Sequence, residues 1–277
     1  MARCLRLLQC QLQGVLSRCA GSSCDWRRDG GGGTGMTAAL RVGILCETSG
    51  AMRRAFAALG HDATSVDRLP AEDGSNHHIV GDVRDYLDYG WDLLIVCHPP
   101  CTRLCNSGVR WLSVPPKNPP SDATPAERAA WPILSREARL AIMWRLLDEG
   151  AELFAACWQA PVSRVAVENP IMHKHGRARM PADLPKPQIV QPWWFGEPAF
   201  KATGFYLRGL PPLTATKRLI PPRKATEPER HKAWSAIHRA SPGPDRWKIR
   251  SRTFEGIARA CAEQWGGYAL DQIRRMA

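Results

Sequence analysis

A short apolar run, Leu93-Leu94-Ile95-Val96-Cys97, ends one histidine before Pro99 and Pro100. A run apolar on both faces and only about five residues long suits a central strand of a parallel sheet, covered by helices on each side. Proline cannot donate to a strand ladder, and it restricts the residue before it. The strand therefore stops here, and Cys101 falls on a stiffened loop at its carboxyl end. In open α/β sheets ligands bind at that edge. A thiol there is a candidate nucleophile.

The flanking segments repeat the pattern. Residues 41–47 (RVGILCE) read as a first strand, Thr48–Gly50 as a turn, and 51–60 as a helix stopped by Gly60. Residues 61–67 then read as a second strand ending on Asp67. Strand, turn, helix, strand, acid is the order of a nucleoside-cofactor site, where the turn approaches the ligand and the acid accepts from ribose hydroxyls. Gly50 is the only glycine of the turn, so the unit carries the expectation; Asp67 alone would equally suit a surface strand end. Residues 78–82 read as a short strand, 113–125 as a Pro-rich surface loop, and 126–147 as an amphipathic helix, or two helices where Pro132 near its start breaks it. Residues 163–167 (SRVAV) form another buried strand, which delivers Glu168, Asn169 and Pro170 to the same edge as Cys101. Strand-like stretches follow at 188–194 and 203–207, residues 211–250 hold little periodicity, and a helix at 254–265 closes the chain with Ser251 or Thr253 as its N-cap. The fold class is α/β.

Charge divides the chain. Residues 174–277 hold 20 Lys and Arg against 8 Asp and Glu, a surplus equal to the net charge of +12, whereas residues 36–173 hold 13 against 16. A basic third beside a slightly acidic half suits a polyanionic partner such as nucleic acid, although a basic surface also serves solubility. Among the ten cysteines, Cys46, Cys97, Cys157 and Cys261 sit in apolar contexts, as reduced core thiols do. There is no secretory signal and no run of about 18 apolar residues, so a cytoplasmic protein that does not enter a membrane is expected. Residues 1–35, acid-poor until Asp25 and ending in a glycine run, read as a disordered extension ahead of a start at Met36. An organelle transit peptide is the other reading.

Pro99-Pro100-Cys101 after one strand and Glu168-Asn169-Pro170 after a later one resemble the cytosine-C5 DNA methyltransferases. The runs HPPCTRLCNSGVRWL, VAVENPIMH, QPWWFGEPAFKATGFYLRGLPPL and SRTFEGIARACAEQWG look like a compact phage or prophage branch of that family, over most of residues 40–266. The resemblance implies a Rossmann-like sheet that uses S-adenosylmethionine to methylate C5 of cytosine in DNA. Cys101, beside Pro100, would be the nucleophile, and Glu168 with Asn169 would hold the base. Glu47, Ser49, Gly50, Asp67, Asp82 and Pro99 would contact the cofactor, and Asn106, Gly108, Pro170 and Lys201 the substrate. No metal is implied, and a monomer is expected. Residues 36–210 would form the catalytic core, 211–250 a reduced basic recognition segment, and 251–277 a helix returning to the core.

The chemistry suits those residues. C5 of cytosine is a poor nucleophile until a soft thiolate adds to C6. A carboxyl group kept partly protonated by its pocket can protonate N3, and the base must be flipped out of a duplex for either event. Alternatives stand beside this reading. Cys101 would also fit an ordinary structural thiol. Cys97, Cys101 and Cys105, spaced four residues apart next to His98, raise a metal site, but match no standard zinc pattern. Trp193 and Trp194 would stack on bases or pack in the core. The chain also departs from the family: ETSG replaces a Gly-rich first turn, His98 stands where glycine is usual, and the recognition domain is missing or reduced to 211–250. That reduction argues against sequence-specific recognition of double-stranded DNA. A catalytically silent nucleic-acid-binding relative, and the same chemistry on RNA or free nucleotides, remain open.

Overall fold

The apolar runs pair into one sheet. The computed structural model describes residues 39–241, 243 and 246–276; the expected extension at 1–35 lies outside them. The strands are β1 (Arg41–Leu45), β2 (Asp62–Asp67), β3 (His78–Val80), β4 (Leu93–Val96), β5 (Val165–Glu168), β6 (Gln188–Val190) and β7 (Thr203–Arg208). They lie in the order β3-β2-β1-β4-β5-β7-β6. Pairing is parallel from β3 through β5, and β7 runs antiparallel to both β5 and β6. The protein is α/β, with a seven-stranded mixed sheet.

From β1 the chain moves outward through β2 and β3, then returns to place β4 on the other flank of β1. Such a reversal opens a crevice at the carboxyl ends of the two strands. Helix α1 (Ala51–Ala57) covers one face, together with α2 (Glu255–Cys261) from the far end of the chain. The long helix Arg136–Trp158 covers the other. β4 shows why both faces are needed: Leu94 and Val96 join Leu146, Leu147 and Phe154, while Leu93, Ile95 and Cys97 join Met52, Phe56 and Trp265. Each such side chain, fully buried, contributes on the order of 1.5–3 kcal/mol.

Several expectations are corrected. The segment expected as helix over 126–147 does break at Pro132, but it runs on well past Leu147. Pro125–Ala130 starts with a Thr124–Glu127 capping box, residues 131–133 at Pro132 form a 3-10 turn, and a second helix begins after the Ser135 cap and runs on to Trp158. Residues 211–250, of little periodicity in the sequence, hold helices at Pro228–Trp234 and Arg246–Ser251. Leu213 is buried with the core, and the Lys217 amide donates to the Trp194 carbonyl at 3.0 Å. Neither Ser251 nor Thr253 caps the helix expected at 254–265, which starts after Phe254 with no side-chain cap and continues through a π turn at Ala262–Gly266 into a last helix, Gly267–Met276. No described helix is long and apolar enough to cross a membrane.

Candidate active site

Two loops face each other across the crevice. The first follows β1. Cys46 adopts a left-handed backbone, φ 56°, uncommon for a residue with a side chain. Glu47 is fully buried beneath the turn, where the amides of Met52 and Arg53 donate to its carboxylate at 2.7 and 3.3 Å. An acid at a helix N-terminus satisfies otherwise unpaired donors and opposes the positive end of the helix dipole. Burial pushes the Glu47 carboxyl up against those amides. Gly50 has φ 69°, and a Cβ there would lie 2.6 Å from both the Arg53 guanidinium and the Asp73 carboxylate. Only glycine fits.

Cys46, Thr48, Ser49, Asp67 and Glu72 line a cleft at this edge, closed on its other side by His98, Lys248, Ser251 and Arg252. Asp67 ends β2 there, its carboxyl raised by burial. Glu47 and Gly50 shape the cleft from beneath and do not line it. Asp82 lies beside it as the cap of the 3-10 turn 83–86, where its carboxylate accepts from Arg68 at 2.6 Å and Arg84 at 3.2 Å.

The second loop follows β4. The amides of Leu104 and Cys105 both donate to the Cys101 carbonyl at 3.0 Å, so the two cysteines sit one turn apart. At Gly108 a Cβ would stand 1.9 Å from the Thr102 carbonyl oxygen, so the loop can close only on glycine. Distant residues pin it. The His173 amide donates to the Leu104 carbonyl at 3.0 Å, the His173 ring bonds the Arg103 carbonyl at 2.8 Å, and Arg103 makes a paired contact with Asp122 at 2.6 and 3.0 Å. Pro99 is buried, Pro100 is exposed, and Asn106 projects outward.

β5 brings Glu168 to the same place, 6% exposed, with Asn169 fully buried behind it. The Asn169 amide donates to the Gly204 carbonyl at 2.9 Å and its side-chain amide to the Pro170 carbonyl at 2.6 Å, leaving Oδ1 without a partner in the structure. Burial pushes the Glu168 carboxyl up to about 7, against the pull of Lys201. Burial likewise lowers Lys201, whose ammonium donates to the Arg252 carbonyl at 3.1 Å. His98 stands between Glu168 and the C-terminal segment. Its Nδ1 is 3.9 Å from Glu168 Oε2, and its Nε2 is 2.8 Å from Thr253 Oγ1. Burial holds the ring neutral, well below the usual histidine range. His98 lines both the cleft and a narrow hollow that contains Glu168, Lys201 and Thr203.

At Cys101, a hydrogen bond with Cys105, followed by burial and the Glu168 charge, raises the thiol well above its ordinary value. Cys105, whose sulfur lies 3.0 Å from Ser107 Oγ and 3.9 Å from the Thr102 carbonyl oxygen, is lowered, first by its neighbour Cys101. Among the described residues, no group of three or more His, Cys, Asp or Glu is arranged to hold a metal ion.

No protein-family model and no curated protein matches this chain. The reading of the site therefore rests on its chemistry.

The structure gathers Cys101, Glu168, Asn169 and Lys201 at one edge and puts Ser49 and Asp67 in the adjoining cleft. Trp193 and Trp194 pack edge to face, with the Arg218 guanidinium 4.6 Å from the Trp194 ring centroid. Sequence reasoning missed Thr253 as a partner of His98, and Glu72 with Arg252 as walls of the cleft paired at 3.8 Å. Nothing local signals these contacts; His98 and Thr253 are 155 residues apart.

Proposed function

We propose that this chain transfers a methyl group from S-adenosylmethionine to C5 of cytosine in nucleic acid, with DNA as the first candidate. The observation that carries the reading is the placement of Cys101 and a Glu168 carboxyl of pKa about 7 at the ends of adjacent strands, beside a cleft with an acid at its β2 end. The cleft fits a nucleoside cofactor by its donor set: hydroxyls of Thr48 and Ser49 at the turn, and the Asp67 carboxylate where ribose hydroxyls would donate. When bound, the cofactor supplies an electrophilic methyl group.

The protein's own residues prepare the base. Cys101 gives its thiol proton to solvent and adds to C6 as the thiolate, while Glu168, half protonated near neutrality, gives its proton to N3 and so draws the electron pair through the ring. That leaves C5 nucleophilic, the condition for alkylation there. Solvent then takes the C5 proton, the C5–C6 double bond re-forms, the electron pair of the S–C6 bond returns to Cys101, and Glu168 takes back the N3 proton. Lys201 sits close enough to stabilise the carboxylate form, and the closed loop at Gly108 keeps Cys101 at a fixed height above the sheet edge. The basic residues of 174–277 supply the attraction for a phosphate backbone.

Methylation of RNA or a free nucleotide is the second reading. The absence of a separate recognition lobe in the described part of 211–250 favours it. Incubation of residues 36–277 with methyl-labelled S-adenosylmethionine and DNA, RNA or CTP, followed by digestion to nucleosides, separates the readings. Label in 5-methylcytosine from DNA, lost in Cys101→Ala, supports the proposal. Label from RNA or CTP alone moves it to the second reading, and cofactor binding with no label from any substrate contradicts both.

A further inference from the structure

The mechanism leaves one buried histidine unused. The His98 ring lies between the cofactor cleft and the hollow that holds Glu168, and it lines both. Its Nε2 is 2.8 Å from Thr253 Oγ1, and its Nδ1 is 3.9 Å from Glu168 Oε2. Because burial holds the ring neutral, only one of these nitrogens carries a proton. Thr253 decides which. It is 9% exposed, and among the described residues its hydroxyl has no other hydrogen-bond partner. A buried hydroxyl proton needs an acceptor, and a bare Nε2 is the acceptor at hand. The hydroxyl therefore donates to Nε2, and the ring proton sits on Nδ1, facing Glu168. A span of 3.9 Å is too long for a hydrogen bond. The Nδ1–H instead acts on Oε2 through its dipole, across a buried gap where such fields are weakly screened.

We propose that His98 is a positioning residue that aims the Glu168 proton, with Thr253 fixing its tautomer. This rests on the cytosine-C5 reading for its substrate, but the arrangement of the ring does not. An N–H facing Oε2 favours negative charge on that oxygen, and so leaves the carboxyl proton on Oε1, from which it is given to N3. Once N3 has taken it, the same N–H stabilises the carboxylate that remains. His98 itself neither gains nor loses a proton. The charged groups around the ring are Glu168 and Lys201 in the hollow, and Asp67, Glu72, Lys248 and Arg252 in the cleft. Lys201 is tied to the same segment as Thr253, through the Arg252 carbonyl at 3.1 Å. The short stretch that walls the cofactor cleft thus also holds two of the groups that act on Glu168. A glycine, usual at this position in the family that the sequence resembles, could not play the part of His98.

Two measurements on the full chain test this. Ring-nitrogen NMR signals are recorded at neutral pH from protein labelled in its histidines, with His98 assigned by its loss in His98→Gln. The proton should sit on Nδ1 in the wild type and in Thr253→Ser. In Thr253→Val, which keeps the size of the side chain but not the hydroxyl, Nε2 should gain proton occupancy at the expense of Nδ1. Single-turnover trapping on 5-fluorocytosine DNA should slow about 10-fold in Thr253→Val and return to within about twofold of the wild type in Thr253→Ser, with S-adenosylmethionine affinity unchanged in both. A wild-type ring proton on Nε2 overturns the proposal. So does a Thr253→Val protein with unchanged ring signals or with the wild-type trapping rate. Slowing that Thr253→Ser fails to restore reveals a structural role alone and overturns it as well. Failure of the wild type to trap any nucleic acid counts against the methyltransfer reading instead, and the ring signals then still decide where the His98 proton lies.

Discussion

The turn after β1 and the loop after β4 occupy equivalent places, at the carboxyl ends of adjacent parallel strands, yet they are held in different ways. The β1 turn is self-contained. Glu47, Gly50 and the first amides of α1 lie within six residues of one another, and the acid is bonded to the helix that it introduces. The β4 loop is held from afar, by Asp122, by Met172 and His173, and through His98 by Thr253. A cofactor cleft needs a fixed floor, which local hydrogen bonds provide. A nucleophile must instead be held in register with a carboxylate on another strand, and only long-range contacts can set that register. Damage to the first loop should therefore appear chiefly as lost stability, and damage to the second as lost rate.

The largest effect is expected at Glu168. Glu168→Gln removes the proton donor and should slow methyl transfer by about 10²–10⁴-fold in single-turnover assays, with little change in cofactor affinity. The same group gives a pH signature. Because folding raises its pKa from 4.5 to about 7, the native state holds more protons than the unfolded state within that window. Stability from this group is therefore full below the lower value and declines as pH rises through the window. The decline should vanish in Glu168→Gln, as read from melting temperature against pH. Gly108→Ala comes next. Its Cβ meets the Thr102 carbonyl oxygen at 1.9 Å, so the loop must shift, and a displacement of about 1 Å at a nucleophile costs on the order of 10²-fold in rate. Melting should move far less than trapping.

The parts legible in the sequence were those that local chemistry dictates. The apolar runs gave β1, β4 and β5 because a strand buried on both faces has no polar position to disguise it. Pro99-Pro100 marked the end of β4, and Glu168 could be put beside Cys101 because both follow central strands. The illegible parts depend on distance and burial. The run of α-helix past Leu147 lies under the sheet, the small helices of 211–250 form against the core, and Thr253 looks like a helix cap until His98 is seen beside it.

The β1 side should give smaller effects. Glu47→Gln places an amide against the Met52 and Arg53 donors and should lower stability by about 1 kcal/mol in urea unfolding, with a parallel weakening of S-adenosylmethionine binding. Arg252→Ala breaks the 3.8 Å contact with Glu72 across the mouth of the cleft. As a partly exposed pair, it should change stability by less than about 1 kcal/mol, and cofactor dissociation should quicken slightly in stopped-flow traces. A loss of catalytic rate in Glu47→Gln as large as that in Gly108→Ala would erase the contrast between the two loops.

The central claim is that Cys101 bonds covalently to cytosine under the control of Glu168. DNA carrying 5-fluorocytosine tests it directly, since fluorine cannot leave as a cation and a C5 methyltransferase would stall with its cysteine attached to C6. With S-adenosylmethionine present, the account predicts a protein–DNA adduct on a denaturing gel, absent in Cys101→Ala and strongly slowed in Glu168→Gln. An adduct that survives Cys101→Ala, or none at all from a protein that binds both cofactor and DNA, would contradict it.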